Sequence, residues 1–264
     1  MEVPNVLRLV LLGKTGAGKS SLANTIFGNN LFRVRHFLDA QPSMCQVVSA
    51  DVNGRSLVLV DTPGFFDPGR PEQELRAEIQ SSISKCGPGA HAFLIVLQME
   101  KFTEQEQDVV KHMEDYFSPE LFKYSAVVFT HGDQLGEDMK IEAFIKKNKN
   151  LTNLVQKCQG GCFVVDNKYW NNQQDEYKNN KVQVAQLIGS LERMVMANGG
   201  CYTAEMLTEW ERQNTTSLSS LFKKVFGWVK FVTNARRVCV FVGMAVVVYF
   251  TKRMIAWPRQ DATI

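Results

Sequence analysis

The sequence predicts a three-layer α/β domain with a mostly parallel central sheet, followed by a C-terminal helical extension. Short apolar runs rich in β-branched residues have the pattern of strands that are buried on both faces. Longer segments with helical spacing separate most of these runs, and this alternation requires crossovers between parallel strands. The 264 residues, 45% of them hydrophobic, are enough for one large domain with an appendage.

Six apolar runs predict the strands of a single sheet. In chain order they cover 6–12, 47–52, 57–60, 92–97, 125–129 and 162–165. Asn53 and Gly54 separate the second run from the third, and this pair is typical of a two-residue hairpin turn. We therefore expect one strand to run antiparallel at the edge of the sheet.

Apolar residues that recur every three or four positions predict the helices. They cover 22–27, 74–83, 104–117, 141–155, 182–196 and 202–212. Gly199 and Gly200 interrupt the helical spacing, as glycine commonly does at a helix C-terminus. We assign 1–198 to the sheet domain, 199–217 to a helical extension and linker, and 218–264 to a tail.

The charge of the chain is small but unevenly distributed. The net charge of +3 gives no reason to expect a nucleic-acid partner. Residues 218–264 contain eight basic residues and one acidic residue, whereas the residues before them contain 22 basic and 26 acidic residues. The body is therefore acidic and the tail strongly basic.

The tail combines two features of membrane-associated segments. Residues 218–232 carry apolar residues at helical spacing with Lys223, Lys224 and Lys230 between them, which predicts a basic amphipathic helix. The uncharged run 238–250 follows, and as a helix it would span only about 20 Å of a hydrocarbon core of about 30 Å. Membrane attachment, either across the bilayer or within one leaflet, is the favoured interpretation. Packing of this run against protein is the alternative.

A glycine-rich loop directly follows the first predicted strand. It consists of Gly13, Lys14, Thr15, Gly16, Ala17, Gly18, Lys19 and Ser20. This is the G-x-x-x-x-G-K-S spacing of a phosphate-binding loop, in which backbone N–H groups and a helix N-terminus face phosphate oxygens. We expect Lys19 to reach the β- and γ-phosphates, Ser20 to ligate Mg²⁺, and Ser21 to lie beside the nucleotide.

Two further motifs favour a guanine nucleotide. Asp61 and Gly64 follow the third predicted strand as D-x-x-G. In this motif the carboxylate can hold a Mg²⁺-bound water, and the glycine N–H can contact the γ-phosphate. Thr130, His131 and Asp133 follow the fifth predicted strand as a T/N-K-x-D base loop in which histidine replaces lysine. The Asp133 carboxylate can accept the guanine N1–H and N2–H together, a pattern that adenine does not offer. The flat imidazole of His131 either stacks on the base or merely ends the strand.

These motifs resemble the GTPases of immunity-associated proteins, the AIG-type branch of the septin-like and chloroplast-import-receptor-like G proteins. The resemblance covers roughly residues 6–198 and rests on RLVLLGKTGAGKSSLANTIFG, DTPGFFD, GPGAHAFLIVLQMEKFTEQEQ and FTHGDQL. It implies a P-loop G domain that binds GTP or GDP with Mg²⁺ and forms homo- or heterodimers. It also implies attachment through C-terminal sequence to the cytoplasmic face of an intracellular membrane, and a role for Asn167 in enclosing the base.

The chain departs from an efficient GTPase at three places. Phe65 and Phe66 stand after D-x-x-G, where Ras-like enzymes have a water-orienting glutamine. Pro42 stands where relatives commonly have a Mg²⁺-binding threonine, with Ser43 as a neighbouring hydroxyl. Lys101 stands where relatives often have arginine and is the candidate catalytic residue; a solvated loop cation is the alternative.

These departures predict slow chemistry. We expect a membrane-associated, nucleotide-dependent assembly switch whose GTP hydrolysis is assisted by dimerisation. The alternative is a scaffold that holds GTP or GDP without meaningful hydrolysis.

Overall fold

A computed structural model of the chain describes residues 4–34, 45–64, 72–99, 118–136, 139–170 and 175–215. Six strands form one sheet: β1 (Val6–Leu12), β2 (Gln46–Val52), β3 (Arg55–Asp61), β4 (Ala92–Gln98), β5 (Ser125–Thr130) and β6 (Cys162–Val164). Their order across the sheet is β2-β3-β1-β4-β5-β6. The six predicted runs therefore correspond to the six observed strands.

The sheet is parallel except at one edge. Strands β2 and β3 form an antiparallel hairpin, and all other neighbouring pairs are parallel. Asn53 and Gly54 in the hairpin turn have φ angles of 51° and 78°, the left-handed conformation that such a two-residue turn requires. The predicted turn and the predicted antiparallel edge strand are both confirmed.

Helices cover both faces of the sheet. In chain order the described residues form α1 (Lys19–Phe27), α2 (Glu72–Lys85), α3 (Pro119–Lys123), α4 (Ile141–Lys146), α5 (Lys149–Lys157), α6 (Asn180–Asn198) and α7 (Ala204–Thr215). Leu22 of α1 and Leu191 of α6 belong to one buried cluster with Leu9 of β1. On the opposite face, Phe129 of β5 meets Phe144 of α4 edge-on, with their ring centroids 6.0 Å apart. These contacts confirm the three-layer α/β class.

The prediction of a single helix over 141–155 is wrong. Two helices, α4 and α5, occupy this region, and Asn148 lies between them. The Asn148 side-chain oxygen accepts the backbone N–H groups of Asn150 at 2.9 Å and Leu151 at 3.2 Å. Such an N-cap satisfies the first donors of a new helix and so favours a new start over continuation of the old helix. The predicted helix over 104–117 lies outside the described residues.

The segment after α6 contributes Tyr202 to the protein interior. Its side chain is fully buried, and its ring meets Phe93 of β4 edge-on at 5.5 Å. Its backbone N–H donates to the Ala90 oxygen at 2.8 Å, and its hydroxyl lies 2.9 Å from the Ser118 hydroxyl. Packing against the sheet therefore extends beyond residue 198.

The chain divides into two compact units, Met1–Glu209 and Trp210–Ile264. The domain limits that the sequence suggests at 198 and 217 stay predictions. Within the described ranges, no helix is long and apolar enough to cross a membrane. The predicted membrane tail, 218–264, lies outside these ranges.

Candidate functional site

The predicted binding loops leave the sheet at one edge. The phosphate loop follows β1, Asp61 is the last residue of β3, and Thr130 is the last residue of β5. Because these strands are parallel, their carboxyl ends lie at the same edge of the sheet, where α/β proteins commonly bind ligands. The topology thus brings together three motifs that are far apart in sequence.

The phosphate loop depends on glycine at several positions. Gly16 and Gly18 have φ angles of 82° and 85°, which side-chain-bearing residues rarely adopt. A Cβ atom on Gly13 would lie 2.6 Å from the Val96 carbonyl oxygen of β4. The Leu22 N–H donates to the Gly18 oxygen at 2.8 Å and so begins the hydrogen bonding of α1. These glycines allow the backbone to turn tightly between strand and helix.

Lys19 is folded back over the same loop. Its Nζ donates to the carbonyl oxygens of Gly13 and Lys14, each at 3.0 Å, and the residue is only 7% exposed. Burial of an ammonium group is costly unless it has acceptors, and here the loop backbone supplies them. The cationic group is thereby held at the centre of the loop, where phosphate oxygens would lie.

Ser20 and Asp61 form a candidate magnesium site. The Ser20 hydroxyl donates to the Asp61 Oδ2 at 2.5 Å. Asp61 is 4% exposed, and its Oδ1 has no hydrogen-bond partner among the described residues. Burial raises the pKa of Asp61, while the Ser20 hydrogen bond and the charge of Lys19 oppose this rise.

This donor set fits Mg²⁺. Buried polar atoms normally have partners, so the lone carboxylate oxygen requires an explanation. A hydroxyl beside a carboxylate offers the hard oxygen ligands that Mg²⁺ prefers, and phosphate and water oxygens usually complete its six positions. The two predicted metal ligands, Ser20 and Asp61, are therefore adjacent, and the Asp61 Oδ1 still has a free acceptor position among the described residues.

The D-x-x-G segment contacts the phosphate loop at Thr15. A Cβ atom on Gly64 would lie 1.8 Å from the Thr15 Oγ1 and 2.5 Å from its backbone nitrogen. Only glycine fits this approach. The Thr62 hydroxyl donates to the Leu11 oxygen at 2.6 Å and ties the start of the segment to β1. A group bound at the phosphate loop would thus lie within reach of the Gly64 backbone.

The base loop is joined to the phosphate loop by Thr130. Its buried hydroxyl donates to the Ala17 oxygen at 2.9 Å. His131 adopts a left-handed φ of 60°, and its Nδ1 lies 3.1 Å from the Thr130 hydroxyl. Asp133 follows in a short 3-10 turn, Gly132–Gln134, and its side chain is exposed. The proposed base-reading carboxylate is therefore accessible to a ligand.

The predicted base-enclosing residue, Asn167, contacts the C-terminal part of α1. Its Oδ1 accepts a hydrogen bond from the Thr25 hydroxyl at 2.8 Å. The cleft has a volume of about 490 Å³ and is lined by Ser21, Asn24, Thr25, Gly28, Asn29, Asn30, Val34 and Asn167. Ser21 and Asn167, both predicted to bind nucleotide, thus share one polar cleft.

Sequence reasoning missed Gln98. This residue ends β4, and its side-chain Nε2 donates to the Gly16 oxygen at 2.7 Å. The bond braces the phosphate loop from the neighbouring strand. A polar residue at the carboxyl end of an otherwise apolar strand is the signal that could have found it.

Sequence reasoning also missed Asp166. Its buried carboxylate accepts the Asp133 N–H at 3.1 Å and so connects the base loop to the Asn167 segment. Its position next to a predicted base-enclosing residue was the available signal. Several other predicted features lie outside the described residues: Lys101, the Pro42–Ser43 pair and the Phe65–Phe66 pair.

The site and fold define a P-loop nucleotide-binding domain. The model of the AIG1 family matches residues 7–221, and the chain belongs to this family. GTPase IMAP family member 8 of Homo sapiens is 34% identical over 206 residues, which are 78% of this chain and 30% of that protein. The chain therefore spans less than a third of this relative's length. Immune-associated nucleotide-binding protein 1 of Arabidopsis thaliana is 30% identical over 207 residues, with 76% of this chain and 90% of that protein covered.

Solved structures of Toc33 from Arabidopsis thaliana share the fold. Toc33 in complex with GDP and Mg²⁺ has a TM-score of 0.59 and 18% identity, with 76% of this chain and 88% of that chain covered. A further structure, with a TM-score of 0.56 and 20% identity, covers 72% of this chain and 83% of its own. For the proteins of that structure, atToc33 and psToc159, dimerisation is important for the GTPase activity. These similarities establish the P-loop G-domain fold.

Proposed function

We propose that this chain binds GTP and GDP with Mg²⁺ and hydrolyses GTP slowly, as a membrane-associated switch that assembles through its G domain. The observation that carries the proposal is the buried Asp61 Oδ1, which has no partner among the described residues and lies beside Ser20 and the phosphate loop. This arrangement is suited to a cation that accompanies a nucleotide phosphate.

Each end of the site would bind a different part of the nucleotide. Backbone N–H groups of the loop and the Lys19 ammonium would hold the β- and γ-phosphates, while Ser20 and Asp61 would serve Mg²⁺. Asp133 would accept the two N–H groups of the guanine edge. Asn167 would enclose the base, and it lines a polar cleft together with Ser21. The GDP and Mg²⁺ complex of Toc33, which has the same fold, supports this assignment.

The chemistry is expected to be slow in the isolated chain. Phe65 follows Gly64, so no side chain there polarises water. We propose that pairing of two G domains supplies the missing transition-state stabilisation, with Lys101 as the contributing cation. The importance of dimerisation for the GTPase activity of Toc33 supports this part of the proposal.

The hydrolysis part is tested by single-turnover GTP hydrolysis at increasing protein concentration. The rate per molecule should rise over the range in which dimers form, because pairing completes the site. Lys101→Ala should flatten this rise, whereas Lys146→Ala, which removes an exposed lysine of α4, should leave it intact. A rate per molecule that does not change with concentration contradicts dimer-assisted catalysis.

The alternative, a scaffold that holds nucleotide without meaningful hydrolysis, is favoured by one observation, the phenylalanine pair after the D-x-x-G motif. The same experiment separates the two functions. Bound GTP that is recovered intact from concentrated, dimeric protein after many hours would favour the scaffold.

Membrane association is proposed from the composition of the tail, with its basic amphipathic segment and the uncharged run 238–250. Replacing Lys223, Lys224 and Lys230 with glutamine should weaken binding to anionic vesicles by about 1 kcal/mol per charge, and added salt should have a similar effect. Anchoring by 238–250 should resist both salt and carbonate. Full-length protein that binds no vesicle at any salt concentration would overturn this part of the proposal.

A further inference from the structure

Asp166 is a buried carboxylate whose two oxygens have different partners. The residue is 2% exposed. Its Oδ1 accepts the backbone N–H groups of Lys168 at 2.8 Å and Tyr169 at 2.5 Å, which closes the turn that carries Asn167. Its Oδ2 accepts the Asp133 N–H at 3.1 Å, across 33 positions of sequence. One oxygen therefore shapes its own loop, and the other holds the base loop.

The backbone of Asp166 is fixed as well. Its N–H donates to the Asn180 Oδ1 at 3.1 Å, and its carbonyl oxygen accepts from the Asn180 Nδ2 at 2.7 Å. Asn180 is the first residue of α6, a helix of 19 residues that packs on the sheet. Asp166 thus connects the base loop to a rigid element of the fold.

The side chains of Asp133 and Asp166 also face each other. A hydrogen bond with the Asp166 side chain, together with the negative charge of Asp166, raises the pKa of the exposed Asp133. The other charged or titratable groups that face Asp133 are His131, on the same loop, and Lys168, on the Asn167 loop. Burial works against ionisation of Asp166, but the N–H donors of Tyr169 and Lys168 outweigh it and lower its pKa. Asp166 is therefore the member of the pair that stays ionised.

We propose that Asp166 is a positioning residue for base recognition: its Oδ2 fixes the backbone of Asp133 and so sets where the Asp133 carboxylate meets the guanine edge. This inference rests on the proposed function, in which Asp133 reads guanine. It adds a specificity determinant from a different loop, one that does not itself contact the base.

The test uses Asp166→Asn. The asparagine Oδ1 can still accept the Lys168 and Tyr169 N–H groups, so the turn is preserved. Its Nδ2 is a donor that faces the donor N–H of Asp133, so the link between the loops is lost. Asp175→Asn is the matched control, because the Asp175 Oδ1 closes the same kind of turn with Tyr177 and Lys178 at 2.7 and 2.9 Å.

The readout is the ratio of GTP to ITP affinity, measured with the full chain and Mg²⁺. Inosine lacks the N2 amino group, so this ratio isolates the two-point contact that Asp133 makes. Loss of a charge-assisted hydrogen bond that positions the carboxylate should reduce the ratio roughly tenfold in Asp166→Asn. Asp175→Asn should keep the wild-type ratio. An unchanged ratio in folded Asp166→Asn protein overturns the inference.

A pH profile separates positioning from a general structural defect. Protonation of Asp133 removes an acceptor, so the GTP to ITP ratio of the wild type should fall as pH falls through the raised pKa of Asp133. Without an ionised neighbour, Asp166→Asn should show this fall at lower pH. If Asp166→Asn does not fold, Asp166→Ser is the second variant, because it removes the carboxylate that accepts the Asp133 N–H; an unchanged GTP to ITP ratio in that variant also overturns the inference.

Failure of the inference and failure of the proposed function give different results. If wild-type protein binds ATP as tightly as GTP, the proposed function fails. If wild-type protein prefers GTP and Asp166→Asn retains both the ratio and the pH profile, only the role of Asp166 fails.

Discussion

The two ends of the proposed nucleotide site are built in different ways. At the phosphate end, most of the proposed contacts come from consecutive residues of one loop, and Lys19 is held by the carbonyls of that loop; Asp61 and Gln98 add single side-chain hydrogen bonds from neighbouring strands. At the base end, they come from two segments, and Asp133 depends on Asp166 across 33 positions. The phosphate loop matches its motif, G-x-x-x-x-G-K-S, at every position. The base loop departs from its own motif, T/N-K-x-D, at His131.

This difference follows from what each end must recognise. Phosphate groups are bound by backbone N–H groups and a lysine ammonium, and a motif of set spacing within one loop supplies both. A base edge requires side-chain acceptors placed in a definite orientation, and loops supply these only when other elements hold them. Changes at the phosphate end should therefore affect all nucleotides, and changes at the base end should affect the choice between them.

The largest effect is expected from Lys19→Ala. Removing the buried ammonium abolishes charge-assisted hydrogen bonds to the phosphates, each contributing about 1.5–3 kcal/mol, so GTP and GDP affinity should fall roughly 100-fold or more. The loss should be equal for guanosine and xanthosine nucleotides. Fluorescent-nucleotide titration measures it, with Lys85→Ala, an exposed lysine of α2, as the control. Retained affinity would show that the loop does not hold phosphate.

Asp133→Asn should instead change the preferred base. An amide presents a donor where guanine also donates, whereas xanthine offers an acceptor at that position, so XTP should bind better than GTP. The change should be at least tenfold in the ratio of the two affinities. Competition titration measures this ratio, and Asp51→Asn, at an exposed position of β2, is the control. A variant that keeps its preference for GTP would exclude Asp133 as the reader of the base.

Much of this organisation is predictable from sequence, for physical reasons. Buried parallel strands appear as continuous apolar runs, and the hairpin at Asn53 and Gly54 requires a backbone conformation that few residue pairs provide. The break at Asn148 was missed because an N-cap competes with helical periodicity that continues on both sides of it. The predicted helix over 202–212 begins too early: Tyr202 pairs with Ala90 in an isolated antiparallel bridge, and α7 starts at Ala204. The predicted start is wrong because one buried aromatic residue next to a helix fits the helical spacing without belonging to the helix.

Within the candidate site, motif spacing predicted Ser20 and Asp61 as partners in one site, and the structure places them side by side. Motif spacing did not reveal Asp166 and Gln98, which act through hydrogen bonds to other loops. Such bonds depend on which strands become neighbours. Strands β1 and β4 are adjacent, although about 80 positions separate Gly16 from Gln98, and only the assembled sheet brings the two together.

Gly64→Ala tests the contact between the D-x-x-G segment and the phosphate loop. An added Cβ would overlap the Thr15 hydroxyl, so the Gly64 N–H would move away from a γ-phosphate. GTP affinity should fall about tenfold, the worth of roughly one hydrogen bond to a charged group, while GDP affinity should change little. Gly200→Ala is the control, because no atom lies within 4 Å of its added Cβ. Equal losses for the two nucleotides would argue against a γ-phosphate contact.

Gln98→Ala should have the smallest effect. The bond from its side chain to the Gly16 oxygen is neutral and exposed. Its loss should lower the affinity for all nucleotides by about threefold, without altering the preferred base. Titration with GTP, GDP and XTP measures this, and Gln186→Ala on α6 is the control. A loss of affinity that is confined to nucleotides of one base would place Gln98 at the base end instead of the phosphate end.

Binding of one guanine nucleotide by both ends of the site is tested most directly by calorimetric titration of the full chain with GTP and ATP, each with Mg²⁺ and with EDTA. If the phosphate end and the base end bind the same nucleotide, GTP should bind at least tenfold more tightly than ATP. Removal of Mg²⁺ should weaken the binding of GTP. Phosphate contacts without base reading would give equal affinities for GTP and ATP. That result, or GTP affinity that is indifferent to Mg²⁺, would contradict a single guanine-nucleotide site formed by the Ser20–Asp61 pair and Asp133.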